Sequence, residues 1–177
     1  MKIAFTGASS TGKTTLAKAI EEKLLIKYIN VDSRKIIDDL NHSNIDNLNE
    51  QEFLEFQKIW LSEKLINESS TDKFITDRTY IDAIAYMCNR NINNFELFNN
   101  YIKNMDVYDL IFYLPTGRIP FLDDGYRTKD EEANKNVDNL ILELLEKNSI
   151  KYYKVDISDF ASSLEYIVDI VGNADEK

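Results

Sequence analysis

Residues 2 to 15, KIAFTGASSTGKTT, constrain this chain more than any other stretch. The apolar run Ile3-Ala4-Phe5 leads into Gly7-Ala8-Ser9-Ser10-Thr11-Gly12-Lys13-Thr14, and a helical pattern follows. This is a complete Walker A spacing with a strand before it and a helix after it. Glycine at 7 and 12 allows a tight turn in which successive N–H groups face phosphate oxygens. The run therefore predicts a nucleotide cradle built from Gly7, Ser9, Ser10, Thr11, Gly12, Lys13, Thr14 and Thr15. Lys13 is placed to reach the β- and γ-phosphates and Thr14 to offer its hydroxyl to Mg²⁺, while the helix beginning near Lys13 points its positive end at the same anion. The expected cofactors are ATP and Mg²⁺. The motif leaves open whether the γ-phosphate goes to water or to another acceptor.

The rest of the chain repeats the strand–helix alternation. Strands are expected at 28–31, 73–76, 108–114 and 151–155, and helices after Lys13, from 33 to 40, 50 to 67, 81 to 88, 95 to 104, 130 to 147 and 159 to 170. Five short apolar strands alternating with helices predict an α/β three-layer sandwich around a five-stranded parallel sheet. With 177 residues, the pattern implies one domain over 1–171, a lid at about 116–130 and a frayed polar tail at 172–177.

Ligands in such sheets gather beyond the carboxyl ends of the strands, where several polar residues fall. Asp77-Arg78 follows the third strand. Asp77 can hold Mg²⁺ or its water shell, and Arg78 can reach a phosphate or the acceptor. Asp32 ends the second strand; it can cap the next helix, or orient and deprotonate an attacking hydroxyl. Arg34 can hold a substrate carboxylate or phosphate. Arg118 and Arg127 lie in the irregular segment after the fourth strand, which also carries Asp123 and Asp124. Closing over the transferred group, the two arginines would neutralise charge in the transition state. On the 50–67 helix, Phe56 can stack on a base and Gln57 can bond a base or amide edge.

Composition narrows the partners. A net charge of −10 with no long basic block argues against a nucleic acid backbone, though local arginines can still hold a small anion. Cys88 is the single cysteine, so an internal disulfide is excluded. The chain opens directly on a strand and has no run of 18 apolar residues, which predicts no signal peptide, no membrane partner and a cytoplasmic location.

These residues resemble the P-loop NTPase superfamily of nucleoside and nucleotide kinases. The run Gly7 to Leu16 is similar to the P-loop of the ribosylnicotinamide kinase-like branch, an AAA-type ATPase or kinase of NAD metabolism. Ser33-Arg34 looks like that branch's Ala-Arg element after strand two. Asp77-Arg78-Thr79, followed by Asp82 and Ala85-Tyr86, is similar to the Asp-Arg motif of thymidylate kinases, and Asp124-Gly125-Tyr126-Arg127 to the lid of the same group. The resemblance departs at Asp32, where many nucleoside kinases carry glutamate. It implies a fold with a mobile lid and MgATP-dependent transfer to a nucleoside, its monophosphate or a ribosylnicotinamide-like acceptor, by a monomer or a homodimer. A regulatory P-loop NTPase and a nucleic acid end kinase are the alternatives.

Overall fold

The computed structural model describes residues 1–92, 100–121 and 130–175. Five parallel strands form one sheet: β1 (Lys2–Thr6), β2 (Tyr28–Ile29), β3 (Phe74–Asp77), β4 (Leu110–Tyr113) and β5 (Tyr153–Lys154), in the order β2-β3-β1-β4-β5. The expected parallel sandwich is observed. The helices are α1 (Lys13–Leu24), α2 (Ser33–Asp39), α3 (Glu50–Ser69), α4 (Tyr80–Asn89), α5 (Glu131–Lys147) and α6 (Phe160–Asp175). Two 3₁₀ turns, Ile45–Asn47 and Lys103–Val107, complete the described elements. The 95–104 helix lies partly outside the described residues; 100–102 are helical and lead into the second 3₁₀ turn.

β1 sits centrally, in register with β3 (Ala4 opposite Thr76) and β4 (Ala4 opposite Ile111). Covered on both faces, its middle residues Ile3, Ala4 and Phe5 are apolar, because each of these side chains meets a packed layer. One layer joins Ile3, Phe5 and Ile75 to Leu16 and Ile20 of α1 and Ile167 and Val171 of α6. The other joins Ala4, Phe74 and Ile111 to Phe53, Phe56 and Trp60 of α3, Ile81 and Ile84 of α4, and Ile141 of α5.

Two expectations are corrected. The edge strands β2 and β5 span two residues each rather than four or five, since each has one neighbour to pair with. The tail does not fray at 172: α6 continues to Asp175. Leu164, Ile167, Val171 and Ala174 recur at helical spacing against the α1 layer, so the last turn retains a packed face. Among the described residues no helix is long and apolar enough to cross a membrane.

Candidate nucleotide and acceptor site

Beyond Thr6 the backbone turns over the carboxyl end of the sheet. Gly7 has φ 138°, and a Cβ there would lie 2.3 Å from the Leu114 carbonyl oxygen, so no side chain fits. Gly12, at φ 84°, takes the left-handed conformation that starts α1. Ser10 adopts φ 58° without glycine's freedom, a local cost of about 1–3 kcal/mol that the surrounding structure must offset. Lys13 is folded over the loop, its Nζ donating to the Ala8 carbonyl and, at 3.2 Å, to Thr11 Oγ1. The first turn of α1 opens at the same point, where helix N–H groups lack intrahelical acceptors.

The start of this cradle departs from expectation. The Gly7 N–H donates to Asp82 and the Ser9 N–H to Asn134. Both amides therefore point into the protein. Ser9 contributes through its hydroxyl, 2.8 Å from that of Tyr86.

Thr14, at the start of α1, and Asp77, at the end of β3, meet. Thr14 Oγ1 donates to Asp77 Oδ2, while Asp77 Oδ1 is buried without a hydrogen-bond partner among the described residues. A carboxylate only 8% exposed with one orphaned oxygen fits a hydrated divalent cation. Among the described residues no group of three His, Cys, Asp or Glu offers an all-protein cage, so a cation here would complete its shell with water and phosphate. The Tyr28 hydroxyl is also buried, near Thr14 and Asp77, and meets no partner in hydrogen-bond geometry among the described residues. Burial, then the nearby Asp77 charge, raises its pKa well above that of a free phenol.

Arg78 holds φ 71°, with its N–H extending the sheet to the Phe5 carbonyl at 2.8 Å. This turn sends the guanidinium over the Tyr86 ring, 5.4 Å from its centroid. Two cavities share Arg78 as a wall. One, of about 300 Å³, contains Thr14, Asp32, Arg34 and Asp77. The other, of about 320 Å³, contains Ser9, Phe53, Phe56, Gln57, Tyr86 and Arg90. Asp32 is exposed and caps α2, one oxygen accepting from the Arg34 and Lys35 N–H groups at 3.1 and 3.2 Å. The capping reading is thus observed, and the carboxylate still borders the cavity. Phe56 and Gln57 line the larger cavity as their helical position implies. Gln57 is 3% exposed and has no hydrogen-bond partner among the described residues, so its amide faces the cavity. Arg90 is already committed: it lies 4.0 Å from the Phe53 ring centroid and donates to the carbonyls of Ile45 and Leu48.

Arg118 departs from the expected mobile role. Its guanidinium donates to the carbonyls of Thr11 and Ile157 and, at 3.2 Å, to Ser163 Oγ, tying the P-loop to the start of α6. Burial lowers its pKa, with partial relief from Asp156. Beside it lies a third cavity, of about 370 Å³, bounded by Ser10, Gly117 and Ile119. Arg127, Asp123 and Asp124 lie outside the described residues, as does the 122–129 part of the expected lid.

Sequence reasoning missed Asn134 and Asp138, which grip the loop from α5, and gave Asp82 no role. Asp82 is 0% exposed and also accepts from the Thr6 and Thr79 hydroxyls, both at 2.7 Å. A single carboxylate on an otherwise apolar helix, three residues after Thr79 as in a capping box, was the signal available for it.

A glycine cradle, a Thr–Asp pair and a parallel sheet with β1 at its centre define a P-loop NTPase. The chain belongs to the AAA domain family, which it matches over residues 2–162. No curated protein matches it by sequence. Among solved structures it is similar to deoxyadenosine kinase from M. mycoides at 20% identity and TM-score 0.71, covering 98% of this chain and 100% of that one. It is similar to thymidylate kinase from Ehrlichia chaffeensis at 20% identity and TM-score 0.68, covering 97% and 98%. A third likeness is to NadR protein in complex with NR, at 17% identity and TM-score 0.73; it covers 98% of this chain but 50% of that one, so this chain spans half of NadR. The likenesses establish a shared fold.

Proposed function

We propose that the protein is a MgATP-dependent kinase that phosphorylates a small nucleoside or nucleoside monophosphate in the cytoplasm, as a monomer or a homodimer. The observation that carries this reading is the 320 Å³ cavity beside the P-loop, with Phe56 and Gln57 in its wall. An enzyme that only hydrolyses ATP needs no second cavity. An amide facing a cavity beside Phe53 and Phe56 suits a flat ring with a donor–acceptor edge.

In this reading Lys13 and the backbone from Ser10 to Thr15 hold the triphosphate. Thr14 and Asp77 hold Mg²⁺, which when bound offsets charge on the β- and γ-phosphates. Arg78, which borders both cavities, lies between donor and acceptor and stabilises charge on the group in transit. Asp32 orients or deprotonates a hydroxyl acceptor. With a monophosphate acceptor, Arg34 and Arg78 take its charge instead. Arg118 flanks the nucleotide and Arg127 closes from the lid. The similar deoxyadenosine kinase was solved with dCMP and dCDP as products, and NadR with NR; both ligand classes belong in the test.

The experiment is transfer from γ-labelled ATP to a panel of nucleosides, their monophosphates, nicotinamide riboside and a 5′-hydroxyl oligonucleotide. Transfer to a nucleoside or monophosphate is expected. A hydroxyl acceptor is marked by loss of transfer in Asp32→Asn. Hydrolysis alone across the panel would overturn the reading in favour of a regulatory NTPase, and transfer only to the oligonucleotide in favour of an end kinase.

A further inference from the structure

The inward side of the P-loop is held by side chains to which the kinase reading gives no task. Three successive N–H groups have three separate acceptors: Gly7 donates to Asp82 Oδ1 at 3.2 Å, Ala8 to Asp138 Oδ1 at 3.4 Å and Ser9 to Asn134 Oδ1 at 3.0 Å. Asn134 also donates from Nδ2 to the Ser9 carbonyl at 3.0 Å, so one side-chain amide brackets the backbone of one residue. Asp138 reaches further. Its Oδ2 accepts from the Tyr113 hydroxyl at 3.1 Å and from the Thr116 N–H and hydroxyl at 2.8 and 2.9 Å.

Asn134 and Asp138 stand four residues apart on α5 and therefore share a face. They are 2% and 4% exposed, and Asp138 borders none of the three cavities around the loop. Thr116 opens the connection that leaves β4, and α5 is where that connection ends. Asp138 thus holds the P-loop with one oxygen and the start of the connection with the other, from the helix at its far end.

We propose that Asn134 and Asp138 are positioning residues that preset the first half of the P-loop and link its conformation to Thr116, at the start of the connection that leaves β4. A Gly-Ala-Ser run loses substantial backbone entropy when fixed. With the brace in place that loss falls on folding; without it, it falls on nucleotide binding. Because one carboxylate serves both the Ala8 amide and Thr116, displacing Thr116 disturbs the loop.

The inference rests on the nucleotide-binding reading, so wild-type protein is measured first, by titration with a fluorescent N-methylanthraniloyl ATP and Mg²⁺. Wild-type protein that binds no nucleotide overturns that reading, and the brace with it. Given binding, Asn134→Ala is expected to raise the Kd about tenfold, the worth of two ordinary hydrogen bonds. The nucleotide-free melting temperature should move little. Thr116→Val removes one bond to Asp138 and none to the P-loop, and is expected to raise the Kd about threefold. Combined with Asp138→Asn it should add nothing, because both act through one carboxylate. Should Asp138→Asn not fold, the same cycle is run with Asn134→Ala, where the combined effect should depart from additivity. A lowered melting temperature with unchanged Kd would reduce the pair to a structural role. Additive effects of Thr116→Val in the tested cycle would break the link to the connection.

Discussion

Single residues at this site carry opposite demands for stability and for chemistry, which makes the demands separable. Lys13 is buried over the loop and bonded to the Ala8 carbonyl, and the proposed kinase function gives its charge a phosphate to hold. Lys13→Ala should lower phosphoryl transfer by about 10²–10³-fold, the usual consequence of removing one preorganised electrostatic contact, while the protein stays folded; unchanged turnover in a kinetic assay would remove the P-loop assignment. Gln57 offers a sharper separation. Gln57 lines the cavity beside Phe53 and Phe56, and leucine is a near volume match there, so Gln57→Leu should melt close to wild type. The same change deprives an acceptor edge of its partner and should raise the acceptor KM by about 10- to 100-fold. A lower melting temperature with an unaltered KM would assign Gln57 to packing. Lys13, Thr14, Asp77 and Gln57 were legible in the sequence, since local spacing or a helical stripe places each of them. Asn134 and Asp138 were not: they reach the loop across 125 and 130 positions, and on an amphipathic helix such residues read as its wet face.

Among the elements, α3 shows where charge patterning misleads. Its start is plain in the sequence, because Asn49 and Glu52 form a reciprocal cap. Lys64 and Glu68 then stand at the spacing of a solvated surface pair. Instead they are buried, 2.6 Å apart, with the Lys64 ammonium 3.0 Å from Thr76 Oγ1 and near the rings of Trp60, Tyr80 and Tyr108. The hydroxyls of Tyr80 and Tyr108 donate to the Glu68 carboxylate at 2.7 and 2.9 Å. The network joins α3, which carries the cavity wall, to β3 just before Asp77. Burial draws the Lys64 pKa down and Glu68 draws it partly back. Glu68→Gln should therefore cost about 3–5 kcal/mol in urea unfolding, because it strands a buried ammonium. A loss within the range of a surface pair, under about 1 kcal/mol, would show that the pair is solvated. The end of α6 was misread for a related reason. Gly172 and Asn173 look like a helix stop, but Ala174 continues the packed face, and tertiary burial overrides local propensity.

Across the whole molecule, the buried hydroxyls tie stability to alkaline pH. Tyr80 and Tyr108 surround Glu68, Tyr113 meets Asp138 beneath the P-loop, and Tyr28 lies near Asp77. Burial first, and then these carboxylates, raises all four phenol pKa values above the ordinary 10. In the unfolded chain the same phenols release their protons near pH 10. Above that point the unfolded state binds fewer protons than the native state, so unfolding becomes easier as pH rises. Their contribution is complete below pH 10 and is lost as pH climbs from there toward the raised native values. For each of Tyr80, Tyr108 and Tyr113 the slope approaches about 1.4 kcal/mol per pH unit while the native phenol stays protonated. Lys64 opposes this: with its native pKa lowered, its own contribution rises with pH up to the ordinary lysine value. Three buried phenols outweigh one ammonium, and the net expectation is a fall in unfolding free energy beyond pH 10. Urea unfolding at pH 8, 9.5 and 11 tests it. Stability should not fall between the first two and should be clearly lower at the third, and Tyr113→Phe should reduce the drop. An unchanged midpoint and slope at pH 11 would mean that these phenols ionise alike in the folded and unfolded chains, and that the polar layer under the P-loop is open to water.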